Sequence, residues 1–107
     1  MTNKVVQYTT PTFHIKFKTI DPADIAEAYL VFKLAGSTIL MKDITYADVL
    51  TDALEWTLSQ EDCGKFPVNT MVRVYCDWIT QGGLRGRSAR RDYVIDETGV
   101  AEVIGNV

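Results

Sequence analysis

Thr12-Phe13-His14-Ile15-Lys16-Phe17-Lys18 is the stretch that decides the fold class. Phe13, Ile15 and Phe17 alternate with His14, Lys16 and Lys18, the period-two pattern of a strand with one buried and one wet face. The same period recurs downstream. Ala28, Leu30, Phe32 and Leu34 alternate with Tyr29, Val31 and Lys33; Leu54, Trp56 and Leu58 with Glu55, Thr57 and Ser59; Val72, Val74, Cys76 and Trp78 with Arg73, Tyr75 and Asp77. Turn chemistry separates these runs. Asp21-Pro22-Ala23-Asp24 reads as a turn with one helical turn begun by Pro22. Ala35-Gly36-Ser37 is a hairpin signal into a return strand over 38–42, and Gln81-Gly82-Gly83 leads into a final strand within 87–95. Ser59 to Pro67 is polar, with Gly64 and Pro67 as breakers, and has room for one helical turn.

Tyr46 to Ala53 admits two readings. Thr45 and Asp48 could cap a short helix, but the neighbouring strands favour a strand edge with a tight turn at Thr51-Asp52. Beyond Asp96 the chain reads as an irregular extension whose Val100, Val103 and Ile104 are available to dock on a neighbour. Short strands without crossover helices exclude a parallel α/β sheet. The expectation is one domain over residues 1–107, an all-β, antiparallel, immunoglobulin-like β-sandwich of about seven strands, with a small closed barrel as the competing architecture.

Composition sets the outer limits. The chain has 107 residues, 47% hydrophobic and 23% charged, which is ordinary for a single globular domain. A net charge of −3 creates no global field toward nucleic acid or anionic lipid. No apolar run reaches the ~18–20 residues of a membrane-spanning helix, and Met1-Thr2-Asn3-Lys4-Val5 lacks a signal-peptide h-region. Cys63 and Cys76 match neither a zinc knuckle nor a CxxC motif; they read as reduced thiols, Cys76 in the core and Cys63 at the surface.

No catalytic, cofactor or metal site is expected. His14, the only histidine, falls on a wet strand face with no nucleophile in view. Cys76 shares its face with Val72, Val74 and Trp78, which suits packing better than thiolate chemistry. Asp43, Asp48, Asp52, Glu61 and Asp62 fit turn chemistry and lack the spacing of a calcium loop. Trp56 and Trp78 fall on inward faces. The sharpest local feature is Arg85, Arg87, Arg90 and Arg91, spaced about Gly86. Against an acidic total, phosphate contact is disfavoured, and an arginine-rich protein contact on a sheet margin is the better reading. Tyr29 and Tyr75 alternate outward and complete the candidate interface.

One stretch carries more than pattern. Leu58-Ser59-Gln60-Glu61-Asp62-Cys63-Gly64-Lys65-Phe66-Pro67, leading into Thr70-Met71-Val72-Arg73-Val74-Tyr75, resembles an "L-S/T-Q-E-D/E-T-x-x-F" turn followed by a "V-x-V-Q-V-R" strand. Phe13 to Phe17 is similar to an "F-x-F-x-F" opening strand, and Ala28 to Lys33 to a "V-Y-V-T-F-K" strand. Ser88 stands where a serine commonly follows a glycine turn. These motifs, spread over residues 13–94, resemble small phage and prophage structural proteins of Gram-positive bacteria. The chain departs from them at Cys63, where threonine is usual, and at Gly64, where a larger residue is common.

The resemblance implies an immunoglobulin-like sandwich and a non-enzymatic structural or assembly role in a tail or baseplate. Partners would be other phage structural proteins or further copies of the chain, met in the host cytoplasm during assembly and in the virion thereafter. A carbohydrate- or ligand-binding module used in host recognition is the alternative. Physically, Phe66 is placed to fold back as a lid on the core, and Gln60 and Asp62 to bond the turn's backbone.

Overall fold

A computed structural model describes residues 3–17, 20–45, 47–50, 52–100 and 102–105. The period-two runs form strands β2 (Thr12–Lys16), β3 (Ile25–Leu34), β4 (Ser37–Asp43), β6 (Ala53–Thr57), β7 (Met71–Thr80) and β9 (Arg91–Asp96). Shorter strands are β1 (Asn3–Val6), β5 (Asp48–Val49) and β8 (Arg85–Arg87), and one helical turn, α1, spans Gln60–Cys63. They build two sheets. The larger runs β1-β9-β7-β3-β4, with β8 also paired to β7; the smaller runs β2-β6-β5. The fold is all-β.

Two features depart from the expected sandwich. The sheets are not purely antiparallel, because β1 runs parallel to β9, with Asn3 opposite Tyr93 and Val6 opposite Asp96. Nine strands are present among the described residues in place of about seven. The additions are short pieces: β1, the two-residue β5, and β8 split from β9. Tyr46 and Thr51 lie outside the described residues, but the strand-edge reading of their segment holds, since Asp48 and Val49 pair with Glu55 and Leu54. Leu50 N–H donates to Ala53 O at 2.9 Å or less, closing the turn between them.

Local chemistry explains the connections. Asp21 accepts from Ala23 N–H at 3.0 Å and starts a 3-10 turn with Pro22 at its first position. Ala35 and Gly36 have φ of +50° and +85°, so the β3–β4 hairpin turns through two left-handed residues, the twist that suits adjacent strands. At Gly64 a Cβ would come within 2.2 Å of the Tyr8 ring, so the missing side chain lets that ring close over α1.

The inward faces meet in one core. Phe13 and Ile15 of β2 and Leu54 of β6 face Leu30, Phe32, Val72, Val74 and Cys76 of the larger sheet. The Phe13 ring meets Phe32 and Tyr93 edge-on at 5.6 and 5.5 Å, stitching the sheets together. Phe66 is the expected lid, buried with its ring 5.2 Å from Phe32. Trp56 and Trp78 point inward as expected but are only half-buried, Trp78 against Phe17 at the core margin.

The α1 region corrects three expectations. Cys63 is fully buried, not a surface thiol: α1 turns its Sγ toward Val6 O at 3.3 Å. Ser59, not Gln60 or Asp62, bonds the turn's backbone, accepting from Asp62 N–H at 3.2 Å. Asp62 instead sits buried between Lys42 and Lys65, at 2.9 and 3.1 Å. Burial pushes the Asp62 carboxyl upward, yet the hydrogen bonds from Lys42 and Lys65 outweigh it and leave the group below its ordinary value. Gln60 bridges the tail, its amide donating to Ile104 O at 2.8 Å and accepting from Ile104 N–H at 3.0 Å. Both cysteines are unbridged.

Candidate interaction face

The outer face of the larger sheet collects the charged and aromatic residues that alternation turns away from the core. The registers fix their neighbours. Tyr75 lies opposite Val31, Tyr29 opposite Asp77, and Lys33 opposite Arg73 across β3 and β7; Asp77 faces Arg87 across β7 and β8. Tyr75 therefore points outward as its alternation implies, but it is not an exposed anchor. Only 7% of it is accessible, because long basic side chains close over its ring. The Arg87 guanidinium sits 4.2 Å from the ring centroid and Lys33 Nζ at 6.0 Å.

Arg87 is held from two sides. Its Nε donates to Asp77 Oδ1 at 2.7 Å and an Nη to Oδ2 at 3.4 Å, the two-pronged pairing that guanidinium geometry favours. The hydrogen bond to Asp77 raises the Arg87 pKa further above its ordinary value. Arg73 is paired more loosely with Asp92, at 3.4 Å. Around Tyr75 these side chains, with Arg90, line a shallow depression of about 350 Å³ bearing four cationic groups: Lys33, Arg73, Arg87 and Arg90. No carboxylate lies within 4.0 Å of the Lys33 or Arg90 cation among the described residues. Two of the four charges are thus offset locally and two are not.

The four arginines singled out in the sequence do not act as one strip. Arg85 and Arg87 stand on β8 at the sheet margin, Arg90 on the bulge after it, and Arg91 on β9, which is interior to the sheet between β1 and β7. Alternation on β9 turns Arg91 with Tyr93 and Ile95 toward the smaller sheet, so it leaves this face. The bulge has a local cause. Pairing shifts from Val74 opposite Arg91 to Asp77 opposite Arg87, and Ser88 fills the break. Ser88 N–H donates to Cys76 O, and Ser88 Oγ accepts from Cys76 N–H, both at 2.8 Å.

Tyr29 occupies a second recess of about 190 Å³ on the same face, lined by Glu27, Asp77, Trp78, Ile79 and Arg85. Its hydroxyl donates to Glu27 Oε1 at 2.9 Å, and that bond raises the phenol pKa. Exposed Met41 and Met71 lie on the neighbouring strands. Sequence reading missed Lys33, Arg73 and Asp77 as members of this face. All three alternate outward with the tyrosines, and only the cross-strand register shows that they gather around Tyr75.

Little here suits covalent chemistry. His14 lies exposed on the smaller sheet, 3.4 Å from Glu55. Cys76 is buried, and that burial pushes its thiol up to about 12, far from a reactive thiolate. Among the described residues no three His, Cys, Asp or Glu side chains gather as a metal site, and no helix is long and apolar enough to cross a membrane. Set beside known proteins, the chain matches no family model, no curated protein and no solved structure.

Proposed function

We propose that the chain is a non-enzymatic structural or assembly protein of a phage or prophage, acting in a tail or baseplate through protein–protein contacts. The observation that carries this reading is the Tyr75 depression: an aromatic ring sheathed by an anchored arginine and surrounded by three further cations on the broad face of a sheet. Such a surface suits a protein partner with an acidic side chain at the centre of its contact. Pre-ordered arginine forks of this kind lose little freedom on binding and are enriched where interfaces concentrate their energy. Further copies of the chain are one class of partner, and other structural proteins of the particle another.

The finer fold reading belongs to the same proposal. The order β1-β9-β7-β3-β4 against β2-β6-β5 supports an immunoglobulin-like sandwich, in which one sheet carries three strands and the other is extended past the hairpin partner of β3. In that architecture the face of the larger sheet is a broad platform available to partners.

The test replaces Arg87 and Arg90 together by serine, sparing Arg91. Incorporation of the chain into particles of the encoding phage, followed by mass spectrometry, should fall while circular dichroism stays unchanged. Undiminished incorporation would reject the face. A salt titration against duplex DNA runs alongside. Binding that weakens steeply with salt and disappears in the double variant would replace the protein-contact reading by a nucleic-acid one. The recess at Tyr29, where carboxylates flank an aromatic ring, favours a carbohydrate module as the second reading. Saturation-transfer NMR with cell-wall saccharides that marks Tyr29 would select it.

A further inference from the structure

Strand β2 ends the smaller sheet on one side, and no strand covers its outer edge among the described residues. The ladder with β6 tells which backbone groups face that edge. Phe17 N–H donates to Asp52 O and Leu58 N–H to Pro11 O, each at 2.9 Å, so odd-numbered residues of β2 bond β6. The N–H and C=O groups of Thr12, His14 and Lys16 therefore point the other way. Facing them across the gap is the Ser88 bulge, where the larger sheet is interrupted. A cavity of about 230 Å³ opens between the two. Phe13, Leu30, Val74 and Tyr93 give it an apolar wall, while Lys16 and Arg91 stand at its rim. No carboxylate lies within 4.0 Å of either cation among the described residues.

An open ladder, an apolar slot and two cations without acid partners are the elements of a site that takes an extended segment as an added strand. The chain also carries a segment of matching chemistry. Residues 97–105 follow β9, and Val100, Val103 and Ile104 are each about half exposed, at 48, 49 and 57%. In an extended conformation Val100, Glu102 and Ile104 share one face, two apolar groups flanking a carboxylate. That is the complement of an apolar slot rimmed by cations. Nine residues in strand geometry reach ~30 Å, more than the ~17 Å of five-residue β2.

We infer that β2 accepts the 97–105 segment of a second copy of this chain, with Glu102 between Lys16 and Arg91. Donor and acceptor are different surfaces, so the contact is head-to-tail and propagates into rings or filaments instead of stopping at a dimer. It uses neither Tyr75 nor Arg87 and stands apart from the outer-face proposal.

Sedimentation velocity over a wide concentration range tests it. The wild-type chain should grow in mass with concentration, and Glu102→Lys should weaken association about tenfold or more, as expected for reversing a close interfacial charge pair. Lys16→Glu should do the same, and Lys16→Glu with Glu102→Lys in one chain should restore it. A wild-type chain that stays monomeric throughout, or association indifferent to Glu102→Lys, overturns the inference. Association lost only with Arg87 and Arg90 also overturns it and assigns self-contact to the outer face. If a β2 variant fails to fold, a synthetic 97–105 peptide titrated into the wild-type chain decides. Amide shifts centred on His14 and Lys16 support the site, and their absence rejects it.

Discussion

Ser88→Ala is the substitution whose cost follows most directly from the geometry. The Ser88 hydroxyl is the acceptor for Cys76 N–H at 2.8 Å, where the β8–β9 bulge withdraws the carbonyl that an unbroken strand would offer. Cys76 is fully buried. Alanine keeps the backbone bond from Ser88 N–H to Cys76 O but leaves the Cys76 donor without a protein partner. A buried unsatisfied donor costs about 1–3 kcal/mol. The bond borders the cavity beside β2, from which a water can take the hydroxyl's place, so the lower part of that range applies, about 1–2 kcal/mol. For 107 residues the unfolding entropy makes 1 kcal/mol worth roughly 4–5 °C, so the melting midpoint should fall by about 4–9 °C. Calorimetry supplies the midpoint and hydrogen exchange the mechanism: the Cys76 amide should exchange faster in Ser88→Ala, and Ser88→Thr, which keeps a hydroxyl, should recover most of the protection. A Ser88→Ala midpoint within a degree of wild type, with Cys76 exchange unchanged, would refute the reasoning.

Three other outcomes follow from packing and charge. Phe66→Ala should lose about 3–5 kcal/mol in chemical denaturation, since it removes a buried ring packed on Phe32. Both thiols should resist a thiol reagent in the folded chain and react at the rate of unfolding, because Cys63 and Cys76 are each fully buried and burial lifts Cys76 to about 12. Asp62 is held below its ordinary pKa when folded, so its contribution is present above the unfolded value near 3.9 and disappears as pH falls through the lower folded value. Urea midpoints should therefore drop below about pH 4, and Asp62→Asn should flatten that part of the profile.

What the sequence made legible was direction, and what it hid was cover. Period two set which residues of β2, β3, β6 and β7 point inward, and the core follows it closely. The same rule turned Tyr75 outward but could not show that Arg87, ten residues past Asp77, would lie over its ring. That depends on the β7–β8 register. Cys63 was misread because a polar loop hides the one helical turn that Ser59 caps and that points the thiol at Val6. The pairing of β1 with β9 joins segments about ninety residues apart and leaves no local signature. Likewise the split of Arg91 from Arg87 and Arg90 follows from a bulge set by one serine hydroxyl, which no periodicity encodes.

The central claim is that the chain works by protein contact through the Tyr75 face. Lys33 lies in that face while Lys4 and Lys65 lie outside it, so amine-directed crosslinking with mass spectrometry on purified particles of the encoding phage tests the claim most directly. The account predicts that the chain is present in the particles and that Lys33 crosslinks to another polypeptide. Particles lacking the chain, or a chain linked only through Lys4 and Lys65 with Lys33 still open to reagent, would contradict it.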